Sequence, residues 1–547
     1  MISSRHINIY ISLLACFFLY NCSERQSDAG KSVFRYNEAS GITSLDPAFA
    51  RNQANIWAIN QLFNGLVQFD DQLNIRPCIA RHWKISEGGK LYTFSLRQDV
   101  LFHDDPLFRG TKSRKVIADD FVYSFARLMN PATASPGAWI FTLVDSLNTN
   151  YGFNALNDST FTIKLKQPFP AFLGLLGMQY CSVVPKEIVE HYGKDFRKHP
   201  VGTGPFYFKL WKEGIKLVML KNETYFEYDG KERLPFLDAV AITFIVDKQS
   251  AFLELVKGNL DFLSGLDPSY KDELLTPSGA LNPKYRDKFI LTTQPYLNTE
   301  YLGFQVDPGL ERFKDSPLRK KEVRQAINMG FDRKKMMRYL RNNIGLPGCY
   351  GFIPPGIPGF DSTEVRGYVY NPAKAAQLLA SAGFPGGKGM PEIVLSTNNA
   401  YLDLATYIQQ QLTDLGLKVR LDVHQAASMR EMLAQAKLGF FRASWIADYP
   451  DAENYLSLFY SRNFSPQGPN YTHFSDPDYD KLYEESQKEL NDTLRIKKYK
   501  AMDKIIIENA PVVVLYYDQV LRFRAKNVEG LGCNAMNLLT LKKVRKR

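Results

Sequence analysis

The sequence predicts an α/β protein built as two lobes with a cleft between them, and three observations carry that prediction. The chain has 547 residues, 45% hydrophobic and 23% charged. This is ordinary globular usage, which excludes a disordered, collagen-like or low-complexity chain and, at about 100 to 200 residues per domain, provides for several domains. Strand–helix–strand patterns occur at 237–266 and again at 392–423, and each implies parallel strands joined by a right-handed crossover. More than a hundred residues separate the two patterns, which points to two lobes rather than one sheet. Ligands of such folds favour domain interfaces and the carboxyl ends of strands.

The first element is an export signal. Arg5 and His6 precede an apolar run over 7–20, a charged start and short hydrophobic stretch of the kind that is cleaved on export. The run is shorter than the roughly 20 residues a spanning helix needs. Cys22 at its end resembles a lipoprotein signal, so residues 1–21 are expected to be removed, Cys22 to be acylated and residues 22–31 to form a tether. Asn21 is larger than the small residue usual before an acylated cysteine, which leaves plain cleavage or an uncleaved anchor as alternatives. The expected location is extracytoplasmic, with a lipid anchor in a membrane.

Residues 32–46 read as a strand and turn, and 57–69 as a helix running into a strand. Tyr92, Phe94 and Leu96 alternate with polar residues, the period of a half-buried strand, and 160–165 repeats the pattern. Asp119 and Asp120 open a helix with Phe121, Val122, Phe125, Leu128 and Met129 on one face, ended by Pro131. In the first crossover Val240, Ile242, Phe244 and Val246 alternate, Phe252, Leu255 and Val256 line the helix, and Gly258 closes it. Asn371 and Pro372 cap a helix whose apolar face is Ala375, Leu378, Leu379 and Ala382. The second crossover has a strand at 392–397, a helix at 402–415 with Gly416 as its C-cap, and an alternating strand at 417–423. The strand at 440–447 then delivers Asp448 to the position where function is expected.

Charge and motif content narrow the chemistry. The net charge is +11, but the last seven residues, LKKVRKR, hold five cations. The excess is therefore expected to be a solvated terminus, and no nucleic-acid partner is expected. With Cys16 in the signal and Cys22 as the lipid site, Cys78, Cys181, Cys349 and Cys533 remain. These admit three disulfide pairings, which an oxidising compartment permits without requiring. No G-x-S-x-G or H-E-x-x-H occurs, and 383–388 lacks the Ser or Thr of a phosphate loop. His103, Asp104 and Asp105 read as a loop rather than a metal site, and Asp448 with Asp451 as an acid–base pair is the minor reading. No metal, cofactor or catalytic residue is expected.

LVQFD (66–70), ARHW (80–83) leading to YTFSLR (92–97) and FHD (102–104), ADDFVYSFAR (118–127), PVGTGP (200–205), Lys257-Gly258 with Asp261, YLGF (301–304), VRQAI (323–327) with Asp332-Arg333, and WIADYPD (445–451) occur in that order. The set resembles the extracytoplasmic solute-binding proteins of family 5, the oligopeptide- and dipeptide-binding proteins of ATP-binding cassette importers, over essentially the whole mature chain. The resemblance implies a two-lobed periplasmic-binding-protein-like fold, type II, with an extra subdomain. Residues 32–60, 190–295 and 500–547 would form lobe I, 61–189 its extra subdomain and 296–499 lobe II. Two departures stand out: the segment 105–115 is longer and more basic than usual, and Ala452 replaces a proline, which is expected to soften the loop beside the site.

The resemblance also implies a role for particular residues. Asp448 would receive the ligand's ammonium, against the plainer reading of a turn cap. Arg442 would receive the ligand carboxylate or else form a structural salt bridge. Trp445 would wall a side-chain pocket or be core, Tyr449 joins the ligand-binding set, and backbone around Tyr301 to Phe304 would pair with an extended ligand. The implied function is capture of oligopeptides and delivery to a permease with two cytoplasmic ATPases, by a monomer that is not an enzyme. A non-peptide solute (nickel chelate, haem, sugar or opine), an exported hydrolase and a chemoreceptor partner stand as alternatives.

Overall fold

The computed structural model describes residues 30–146, 149–267 and 270–547. The expected signal, Cys22 and most of the tether lie outside the described residues. Two long strands, Phe289–Phe304 and Val512–Ala525, hold the molecule together. The second begins as VVVLYY and is buried along most of its length, the near-continuous apolar run of a strand covered on both faces.

These two strands lie side by side at the middle of one eleven-stranded sheet. On one flank come Phe440–Ile446, Ile393–Asn398 and Val419–His424. On the other come Phe262–Ser264, Val33–Asn37, Ala239–Thr243, Lys216–Lys221 and Phe206–Lys212, while Leu346–Pro347 pairs with Val512–Ala525 off this path. Both predicted crossovers are present, as the helices Lys248–Val256 and Leu402–Asp414 with their flanking strands. The expectation of separate sheets is corrected: the long strand pair belongs to both halves. Its register runs from Phe289↔Ala525 to Pro295↔Gln519, lapses, and resumes from Thr299↔Tyr517 to Gly303↔Val512 with a second shift between Glu300 and Tyr301. Tyr296, Leu297 and Asn298 thus oppose Asp518 alone, a bulge of the kind that re-aims side chains, and it follows a proline that cannot donate to the ladder.

A separate four-stranded antiparallel sheet, in the order Ala80–Ser86, Leu91–Leu96, Thr160–Lys164 and Phe153–Asn157, carries the helix Ala118–Met129. Phe125 of that helix packs on Phe141 and Phe153 with ring centroids 4.9 and 5.5 Å away. The helix Asp492–Asn509 is continuous through position 500.

Two further expectations are corrected. The strand Ala239–Thr243 ends before Val246, which is exposed. The basic C-terminus is not a solvated tail: Leu541 and Val544 are fully buried, Arg545–Lys546 pairs with Val528–Glu529, and Lys542, Lys543, Arg545, Lys546 and Arg547 meet Glu227, Asp229, Glu232, Asp261 and Glu529. Apolar residues three apart anchor the segment, and the cations between them reach carboxylates far away in sequence. Arg114, in the basic loop, stacks 4.8 Å from the Phe102 ring and pairs with Asp120 at 2.7 Å, so that loop is pinned. The four described cysteines are free, and burial pushes the Cys78 thiol up to about 12.

Candidate functional site

A cavity of about 680 Å³ lies between the two halves of the molecule. One wall comes from residues 50–57, Phe69, Trp139 and 177–180, and the other from Tyr296 and 446–448. Aromatic and apolar side chains dominate, with Trp57, Phe69, Trp139, Tyr180 and Tyr296 the largest. A second compartment of about 340 Å³ shares Gln53 and Tyr296 with it and reaches Lys271, Arg341 and Tyr401. Tyr296 is the residue that the bulge turns inward.

Asp448 stands two residues beyond the strand Phe440–Ile446 and opens onto the main cavity. Its position is fixed by Asn454, whose Oδ1 accepts both the Asp448 backbone N–H at 3.1 Å and the Trp445 Nε1–H at 2.8 Å. The Asn454 side-chain N–H also reaches Asp448 Oδ2 at 3.4 Å. Protein packed around the carboxyl desolvates it and raises its pKa, an effect the Asn454 hydrogen bond only partly offsets. No cation among the described residues pairs with it. Asp448 is nonetheless exposed on the cavity wall, and a carboxylate there without an ion partner can receive a cation through a charge-assisted hydrogen bond.

The rest of the loop is scaffold. Asp451 accepts from the Glu453 backbone N–H at 2.9 Å and from the Tyr499 hydroxyl at 2.8 Å. Ala447 N–H donates to the Leu297 carbonyl at 2.9 Å, and the Tyr455 hydroxyl to the same oxygen at 2.6 Å. Ala452 is buried against Gly359, so the missing proline leaves a pinned loop, not a softened one.

Of the six residues proposed from sequence, only Asp448 lines the cavity. Arg442 pairs with Glu300 and lies 3.3 Å from the centroid of the Tyr401 ring; the two charged side chains are 12% and 2% exposed. That is the structural salt bridge, and neither compartment is lined by Arg442. Trp445 is half-buried on Asn454. Tyr449 is buried, its hydroxyl bonded to Glu453 and its ring 6.3 Å from Trp139. Tyr301 packs on Phe352 and Phe304 stacks on Phe440 at 4.8 Å, both in core. Strand addition at 301–304 is excluded, because that backbone is already paired on both sides, with 440–443 and with 512–514.

The sequence reading missed Asn454, Tyr296, Arg51 and Arg341. Arg341 lines the second compartment, donates to Asp518 Oδ1 at 3.2 Å and keeps its buried Nε–H without a partner. The Arg442 Nε–H is likewise buried without a partner, so what sets Arg341 apart is that it lines a compartment. Only Asn454 had a local signal, as an amide six residues past Asp448 in the same turn.

Over residues 74–467 the chain matches the bacterial extracellular solute-binding proteins, family 5 Middle. The chain belongs to this family. Heme-binding protein A of Haemophilus influenzae is 28% identical over 511 residues, covering 90% of this chain and 88% of that protein. A glutathione-binding protein of Salmonella typhi is 25% identical over 497 residues, 90% of each. A periplasmic binding protein of Helicobacter pylori, solved in complex with peptide STSA, superposes with a TM-score of 0.76 at 24% identity, covering 94% of this chain and 98% of that one. The family 5 fold is the two-lobed one, and its members act outside the cytoplasm, as the non-enzymatic, solute-binding part of a transport system. No helix among the described residues is long and apolar enough to cross a membrane.

Proposed function

We propose that this family 5 protein captures short peptides in the interlobe cavity and hands them to an ATP-binding cassette permease. One observation carries the reading: Asp448 is an unpaired carboxylate on the wall of a cavity otherwise rich in aromatic rings. A peptide ammonium supplies the missing charge, and the rings accept varied side chains through apolar contact. Arg341 would meet the ligand's terminal carboxylate, since it lines the second compartment, although it also pairs with Asp518, whereas Arg442 lines neither compartment. Lobe I with its extra subdomain would present one wall and lobe II the other, within the boundaries inferred from sequence. A lipid on Cys22 would hold the receptor, as a monomer, at the membrane that carries the permease.

The test is titration calorimetry on protein stripped of ligand, with a library of tri- to pentapeptides and the same library N-acetylated. Binding of the free pool alone is the expected result. Equal binding of both pools, or of neither, overturns the peptide-ammonium reading and favours a non-peptide solute.

A further inference from the structure

Arg51 and Asp448 are the two charged side chains among the described residues lining the main compartment. Neither has an ion partner among those residues, in contrast to Arg442, paired with Glu300, and Arg341, paired with Asp518. Both lie within electrostatic reach of the Tyr180 hydroxyl, whose ionisation Asp448 opposes and Arg51 favours, so the two charges border the same space. Arg51 directly precedes Asn52, which caps the helix Gln53–Leu62 by accepting the Asn55 N–H at 2.9 Å. Gln53, Ile56 and Trp57 of that helix also line the cavity, and the positive end of the helix dipole reinforces the arginine there.

A ligand that brings only an ammonium neutralises Asp448 and leaves the guanidinium enclosed without a counter-charge once the lobes close. A ligand that also brings an acidic group near that ammonium satisfies both charges, and a guanidinium fork suits a carboxylate geometrically. On the reading above, the terminal carboxylate of a longer peptide would lie in the second compartment, beside Arg341. We propose that Arg51 is a specificity residue reading an acidic side chain beside the free amine, so that the preferred cargo is a peptide whose first residue is acidic. This inference rests on the peptide reading above and goes beyond it in naming the cargo.

The experiment is calorimetry with Glu-Ala-Ala, Gln-Ala-Ala and Lys-Ala-Ala, which share one C-terminus, on the wild-type chain and on Arg51→Gln, with the melting temperature as a fold check on an exposed residue. The expected result is Glu-Ala-Ala bound about tenfold more tightly than Gln-Ala-Ala by the wild type, weaker discrimination at high salt, and loss of the difference in Arg51→Gln. Equal affinities of the three peptides for the wild type overturn the inference while leaving peptide capture standing, as does a preference for glutamate that survives Arg51→Gln. If none of the three binds, the peptide reading falls and this inference falls with it.

Discussion

Asp448→Asn is the substitution that most directly separates ammonium recognition from mere shape. Asparagine keeps the volume and the Asn454 contact but removes the charge. Losing one partner of a buried charge pair costs about 2 to 5 kcal/mol. Asp448 keeps surface open to the cavity, so the lower end applies, about 2 kcal/mol or roughly a thirtyfold loss in affinity. In calorimetry the wild type is expected to prefer a free tripeptide over its N-acetyl form by about that factor, and the variant to bind the two forms alike. Because desolvation raises the Asp448 pKa, wild-type affinity for free peptides falls on acidification at a pH above that of an ordinary aspartate. The same raised pKa means that the ionised carboxylate destabilises the ligand-free fold at neutral pH, so the variant should melt no lower than the wild type. A variant that still prefers the free amine by thirtyfold refutes the reasoning.

Asn454→Ala leaves the Trp445 Nε1–H and the Asp448 N–H without their acceptor, and each unsatisfied buried donor costs about 1 to 3 kcal/mol; the expected result is a lower melting temperature together with weaker amine-dependent binding. His103 is buried and neutral, donating from Nε2 to the Gly204 carbonyl at 2.9 Å, and burial lowers its pKa to about 4. Its contribution, about 3 kcal/mol, is present above pH 6.5 and lost as the pH falls towards 4. Asp503 is buried beneath the backbone N–H of Phe352 at 2.6 Å, with its pKa raised to about 7; its contribution, about 4 kcal/mol, is present below its unfolded pKa near 4 and lost as the pH rises to 7. The two slopes oppose each other, so denaturant midpoints across pH 4 to 6.5 should fall with rising pH in His103→Gln and rise in Asp503→Asn, and parallel profiles would count against both assignments.

Local pattern revealed what depends on local pattern. Helices whose caps and apolar stripes lie close together in sequence, such as Pro372–Ser381 behind Asn371, form as the spacing dictates. The place of Asp448 on the cavity wall was legible because a strand end and a short motif mark it. Arg442 was ambiguous because its neutralising partner, Glu300, is 142 residues away, and no spacing rule connects them. The C-terminal cations misled for the same reason: a basic run looks solvated until the carboxylates at 227–232 are folded against it. Arg51 carried no signal because its meaning arises from facing Asp448 across a cavity that exists only in the assembled molecule.

The shared sheet bears directly on how ligand binding would move the lobes. Bending the long strand pair within its regular ladder strips partners from buried peptide groups, which is costly. At 296–298 the ladder has already lapsed, and Leu297 instead donates to the Ala535 carbonyl at 2.8 Å and accepts from Ala447 and Tyr455. Those three bonds tie the bulge to Ala535 and to the 447–455 loop. Ala447 adjoins Asp448, so the carboxylate on the cavity wall is one residue from a hydrogen bond to the bulge. A ligand that spans Asp448 on one wall and the 50–57 segment on the other makes both sets of contacts only when the walls are close. On the proposed reading such a ligand would bind a closed form more tightly than an open one, and that difference in affinity would drive closure.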